Sequence, residues 1–247
     1  MMDAGLLALF LGLVSLLKPL RFLGIGSRAA GSIVLGCGFL IVIFTALLPA
    51  RLQQPAGPRS LLDSFVPAFQ FHEVHSTRIN ASPAVVFQAV KNVTPSEIHL
   101  YRAITWLRSP HFGSAPPGIL NAPPAEPILE AATHSGFMTL AEDPNREIVF
   151  GTIAGPPLNA HNPQPADFIR FDRPGHAKIA MNFLIVPAPD GETILTTETR
   201  VFATDAGALR HFAPYWRIIF PGSSLIRVMW LAAIKRRAER PPLPLPR

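Results

Sequence analysis

The sequence predicts an α+β protein: a run of antiparallel strands packed on one long C-terminal helical arm, behind one or two N-terminal membrane helices. Three observations carry this. Residues 29–49 run for twenty-one positions without a charge, long enough to span a bilayer. Residues 69–204 break into short alternating segments separated by turn signals. From Asp205 to Arg240 apolar residues recur at steps of three and four, the period of an amphipathic helix.

The first apolar stretch, residues 4–17, is fourteen long. As a helix it covers roughly 21 Å, against about 30 Å of hydrocarbon, so it lies in the interface, dips in, or spans with help from Phe22, Leu23 and Ile25. Lys18, Arg21 and Arg28 follow it. The positive-inside rule keeps those three in the cytoplasm, runs 29–49 outward and places everything after it outside. Arg51 and Arg59 on the far side oppose that orientation. The expected location is a bacterial inner membrane with the soluble domain on the periplasmic side. The expected organisation is an anchor at 1–50, a linker at 51–68, a domain at 69–240 and a Pro-rich tail at 241–247.

Charge follows the same division. Residues 1–60 carry five basic and one acidic side chain, and so do residues 235–247; the middle holds twelve basic against fourteen acidic. A domain without clustered Lys and Arg is not a nucleic-acid surface. The basic ends suit anionic lipid headgroups. The single cysteine, Cys37, rules out a disulfide framework and a cysteine-based metal site.

Within the domain, Phe69, Phe71, Glu73, His75, Thr77 and Ile79 alternate with Gln70, His72, Val74, Ser76 and Arg78, which predicts a strand. Ser82-Pro83 opens a short helix through Val90, because proline fits the first helical position. Thr94-Pro95 repeats that signal for a second helix reaching Leu107. Residues 108–127 form a long Pro/Gly loop, a length that marks a functional or mobile segment. Strands are expected at 128–135, 137–142, 147–154, 168–171, 178–187 and 193–204, with Pro189-Asp190-Gly191 as a hairpin turn.

The arm begins at Asp205, whose carboxylate can accept first-turn N–H groups. Leu209, Phe212, Trp216, Ile219 and Phe220 form its first apolar face. Pro214 is expected to kink it, and Pro221-Gly222 to stop or bend it. Ser223 then caps a restart carried by Leu225, Ile226, Met229, Trp230, Ala233 and Ile234. Lys235, Arg236 and Arg237 sit in the last turn, where cations suit the helix dipole.

The segments HSTRINASPAVVFQAVKNV (75–93) and DGETILTTETRVFATD (190–205), with the arm, resemble the START/Bet v 1-like helix-grip superfamily, also called SRPBCC or polyketide cyclase/dehydrase-like proteins. The likeness covers about 69–238 and is nearest to a membrane-attached bacterial subgroup of unknown function. It implies a curved antiparallel sheet gripping the final helix around an apolar cavity. It also implies lipids, sterols, polyketides or plant hormones as ligand types.

Candidate site residues follow from spacing and chemistry. Glu198 and Arg200 share one strand face, so Arg200 either grips a carboxylate or phosphate headgroup at the cavity or forms a solvent-face ion pair. Glu130 and His134, read on one strand, could gather with His75 as a proton shuttle or as polar positions on the sheet. No tight metal-ligand spacing such as H-E-x-x-H is present, so no metal is expected. Trp106, Arg108, Tyr215, Trp216 and Arg217 combine aromatic bodies with cations, which suits an amphipathic ligand with an acidic head as well as it suits core packing. Ser223-Ser224 does not form G-x-S-x-G, and no Gly-rich phosphate loop follows a strand. The expected function is a membrane-anchored module that binds a lipid or amphipathic small molecule, without a cofactor. A cyclase- or hydrolase-like enzyme and a structural assembly protein with a filled cavity are the alternatives.

Overall fold

Helices α1 (Met2–Leu17) and α2 (Arg28–Leu47) open the chain, followed by α3 (Leu62–Phe65), β1 (Phe71–Ile79), α4 (Pro83–Asn92) and α5 (Tyr101–Arg108). Then come α6 (Ile128–Thr133), β2 (Met138–Asp143), β3 (Glu147–Ala154), α7 (Pro165–Arg170), β4 (Ala177–Pro187), β5 (Thr193–Ala203) and α8 (Ala206–Ala238). This computed structural model describes residues 2–55, 60–108, 121–157 and 164–240. Most of the loop expected at 108–127 and the tail expected at 241–247 lie outside the described residues.

Two units make up the chain: residues 1–50 with 210–221, and residues 51–209 with 222–247. In the first, α1 and α2 meet through glycine. A Cβ built on Gly12 would lie 2.5 Å from the Leu35 nitrogen, and one on Gly38 would lie 2.6 Å from the Leu9 nitrogen. Backbone approach of this kind is how helices associate when no water drives them together. The stretch of α8 in this unit carries an aromatic ladder: Phe212 and Trp216 rings are 6.1 Å apart and stacked, and Trp216 and Phe220 are 6.1 Å apart. Arg217 donates to the Leu48 carbonyl.

The second unit is built on a five-stranded antiparallel sheet in the order β1-β5-β4-β3-β2. Alternation gives each strand two faces. One face packs Ile148, Phe150, Met181, Phe183, Ile185 and Leu195 against α4, α6 and the C-terminal half of α8. The other packs Val149, Ala180 and Leu140 against Leu62, Phe65, Val66 and Phe168, which covers it with α3 and α7.

Several expectations are corrected here. Residues 128–135 do not form a strand; Ile128–Thr133 form α6 and a turn follows, because Ile128, Leu129, Ala131 and Ala132 are buried on a helical spacing after Pro127. Nor do residues 168–171 form a strand: Phe168–Arg170 belong to helix α7, started by Pro165 and a Gln164/Asp167 capping box, and Phe171 caps it. The second helix expected from Thr94 is broken: a 3₁₀ turn spans Pro95–Glu97, and Leu100 takes a positive φ of 55° before α5. The expected linker contributes Leu62, Phe65 and Val66 to the second core. α8 runs through both prolines without stopping, so Ser223 caps nothing. Each proline removes one intrahelical hydrogen bond. Burial of Trp230, Leu231, Ala233 and Ile234 against the sheet outweighs that loss. The Asp205 cap is present: its carboxylate accepts from the N–H groups of Gly207 and Ala208 at 2.6 and 3.1 Å, and from Gly175.

Candidate functional site

Where α8 crosses β1, β5 and β4, the apolar core is interrupted by a polar layer. Strand register sets it in two rows. Glu73 pairs with Thr199 and Thr199 with Met181; next to them His75 pairs with Thr197 and Thr197 with Phe183. Above and below, Val201 and Leu195 return the same face to hydrocarbon. From α8, Ser223, Ser224, Arg227 and Trp230 project onto these rows.

Glu73 is buried, and its Oε1 lies 2.8 Å from His75 Nε2 while Oε2 accepts from Ser223 at 3.0 Å. Ser224 Oγ stands 3.2 Å from the same His75 Nε2. Arg227 donates to Thr199 Oγ1 at 3.0 Å, contacts Met181 Sδ at 2.8 Å and lies over the Trp230 ring at 5.4 Å. The Trp230 ring meets Phe183 edge-on at 5.1 Å. Thr197 Oγ1 and Trp230 Nε1, both buried in the layer, have no hydrogen-bond partner among the described residues.

A serine, a histidine and a carboxylate together invite comparison with a hydrolytic triad, and the geometry answers it. In a triad the acid holds Nδ1 and leaves Nε2 to take the serine proton. Here one nitrogen faces both. A carboxylate at Glu73 only accepts, so Nε2 carries the hydrogen and has no lone pair for the Ser224 proton. The cluster ties β1 to α8; it does not activate Ser224.

Arg200, expected at the cavity, lies on the opposite face of the sheet. It alternates with Thr199 and is 3% exposed. Its guanidinium donates to Asp63 Oδ1 and Glu198 Oε1, both at 2.6 Å, and to the Val66 carbonyl at 3.2 Å, and it covers the Phe69 ring at 4.9 Å. Burial by itself disfavours its charge; the two carboxylates more than offset this and hold it above its ordinary value. Arg200 therefore fastens α3 to β5 through Asp63 and Glu198.

The other candidates are dispersed. Glu130 is exposed on α6, and His134 is exposed with its Nδ1 3.2 Å from Glu126. Neither joins His75, because the strand that would have aligned them is a helix. Trp106 is exposed on α5, and the Arg108 side chain lies outside the described residues. Tyr215, exposed, and Trp216, buried, sit on the stretch of α8 that belongs with α1 and α2. The terminal cations are engaged within the chain: Arg237 meets Glu97 Oε2 at 2.7 Å, Arg236 donates to the Glu97 carbonyl at 2.7 Å, and Lys235 to the Arg78 carbonyl at 2.7 Å. Burial pushes the Glu97 carboxyl up, but the Thr94 N–H and the Arg237 guanidinium hold it below its ordinary value. Among the described residues, no three of His, Cys, Asp and Glu gather where a metal could sit.

Sequence reasoning missed Glu73, Thr197, Ser223, Arg227 and Trp230 as a set. One signal was legible: Glu73 and His75 fall on the same alternation as Phe71 and Ile79, so the strand turns two ionisable groups toward its apolar face.

No family model matches the chain, and no curated protein matches it. Among solved structures, protein MLL2253 from Mesorhizobium loti aligns over 70% of this chain and 100% of its own, at 14% identity and a TM-score of 0.33. At that score the likeness carries no weight for fold or function. The fold defines a mixed α+β protein with a five-stranded antiparallel sheet and a long C-terminal helix. Among the described residues, two helices, at 28–45 and 206–238, are long and apolar enough to cross a membrane.

Proposed function

We propose that the chain is a membrane-anchored binding module that holds a lipid or other amphipathic small molecule between its sheet and α8. One observation carries this reading: a buried polar layer, in which Thr197 Oγ1 and Trp230 Nε1 have no hydrogen-bond partner, stands inside an otherwise apolar sheet–helix core. Native interiors rarely leave such groups unmet. A bound molecule that is apolar along most of its length and polar at one point supplies what the layer lacks.

The helix-grip arrangement of the START/Bet v 1-like superfamily fits the order of elements: β1, the short helices, an antiparallel run and α8. In this reading α2 is the transmembrane anchor, Lys18, Arg21 and Arg28 lie on the cytoplasmic side, and the sheet unit works on the periplasmic side of a bacterial inner membrane. The shared nitrogen of His75 disfavours the hydrolase alternative.

Full-length protein purified in detergent, extracted with organic solvent and analysed by mass spectrometry tests the reading. A defined amphiphile in stoichiometric amount is expected. Extracts holding only the bulk lipids of the starting membrane, in their bulk proportions, would remove it.

A further inference from the structure

This inference rests on the membrane anchor of the reading above and adds a second surface that meets lipid. Residues 210–221 of α8 belong to the same unit as α1 and α2. Phe212, Tyr215, Trp216 and Phe220 give this short stretch four rings, Arg210 and Arg217 give it two cations, and α8 contains no acidic residue. Tyr215 is 45% exposed and Ile218 55%, one turn apart on one face, and Arg210 and His211 are exposed on the turn before them.

The level of this face says what covers it. α2 has 20 residues, about 30 Å as a helix, which matches the hydrocarbon layer and leaves its last carbonyls at a headgroup boundary. Leu48 caps that end, and Arg217 donates to its carbonyl, which ties the middle of α8 to the same boundary. Ile33, Leu40 and Phe44 of α2 are exposed too, so the face of α8 continues the surface that lipid covers on the anchor. Rings beside arginine are what the boundary selects, because the rings have an apolar body and a polar edge, and arginine reaches phosphate. Spanning does not fit. From Ala206 to Arg217 the helix covers about 17 Å, too little to cross. Further on, Trp230, Leu231, Ala233 and Ile234 are buried in the core of the sheet unit.

We propose that residues 210–221 are an interfacial membrane contact. Tyr215 and Ile218 enter the edge of the leaflet that α2 reaches at Leu48, and Arg210 meets lipid phosphates. The segment lies in that leaflet without crossing it.

The test uses full-length Cys37→Ser protein in vesicles of phosphatidylcholine with phosphatidylglycerol. Single nitroxide labels are attached through Leu40→Cys, Val186→Cys, Tyr215→Cys or Ile218→Cys, all at exposed positions. Collisions with oxygen, which enters lipid, are compared with collisions with a nickel chelate, which stays in water. Leu40, in the middle of α2, is the hydrocarbon reference, and Val186, on β4, is the reference for the sheet unit. The labels at 215 and 218 are expected to favour oxygen over nickel, at a depth of about 5–10 Å and shallower than Leu40. Nickel collisions there as frequent as at Val186 would put the face in water and overturn the inference, with the anchor left standing. Shielding from both reagents would show a protein partner or a second copy on the face and overturn it equally. Nickel reaching Leu40 would overturn the anchor and the inference together.

Discussion

Arg200 shows how much one buried cation can hold. Its guanidinium joins Asp63 of α3 to Glu198 of β5, and all three side chains are largely shielded from water. Replacing it leaves two carboxylates without a counter-charge in a low-dielectric site. Arg200→Ala is expected to cost about 3–5 kcal/mol in chemical denaturation. Removing the carboxylates as well, with Asp63→Asn and Glu198→Gln in the Arg200→Met background, is expected to recover part of that loss. A loss under 1 kcal/mol for Arg200→Ala would contradict the assignment. Tyr101 offers a second test. Burial raises its phenol from 10.0 to about 12, even though the hydroxyl bonds the Ala122 backbone. A folded-state value above the unfolded one means the proton is held more tightly in the native protein. That contribution is complete below pH 10 and is lost as pH climbs toward 12. Its size is on the order of 2 kcal/mol. Stability measured across that window should fall more steeply in the wild type than in Tyr101→Phe; parallel curves would refute the burial argument.

At the scale of elements, α8 is the informative case. Gly222 sits inside a continuous helix, and a Cβ there would meet only Ile104, at 3.8 Å, an ordinary contact. Gly222→Ala is therefore expected to stabilise the protein by about 0.5–1 kcal/mol, read as a rise in the denaturation midpoint. A loss would mean that the helix needs glycine's freedom there. The same helix marks the limit of the sequence. Local rules read a kink at Pro214 and a stop or bend at Pro221-Gly222, because proline lacks an N–H and glycine costs entropy. What overrides the stop is burial of Trp230, Leu231 and Ile234 against strands distant in sequence. α6 and α7 were misread for a related reason: six apolar or mixed residues fit a strand or a helix equally, and only packing decides. By contrast, β1, β2, β3, β4 and β5 were legible, since alternation and the Asp-Gly turn are local signals. The site was legible only in part. Glu73 and His75 announced their face; which residues of α8 would meet them depends on where the helix crosses the sheet.

The whole molecule joins two kinds of construction. The N-terminal helices pack through glycine, as in a medium without a hydrophobic driving force, whereas the sheet unit packs two ordinary apolar cores. Gly12→Val is expected to force α1 and α2 apart by several ångströms, because its side chain would run into the Leu35 backbone. Spin labels at the exposed positions Leu13 and Ile33, in a Cys37→Ser background, would report the lengthened distance; an unchanged distance would show that the close approach is not required. The sheet unit, for its part, is proposed to hold a molecule against the polar layer under α8. Native mass spectrometry on full-length protein released from nanodiscs, comparing the wild type with Thr197→Phe, tests this most directly. Phenylalanine at 197 fills the layer beside Phe183 and removes the orphan hydroxyl. The account predicts a defined adduct of lipid-like mass on the wild type that is absent from a folded Thr197→Phe protein. A bare wild type, or the same adduct on both, would contradict it.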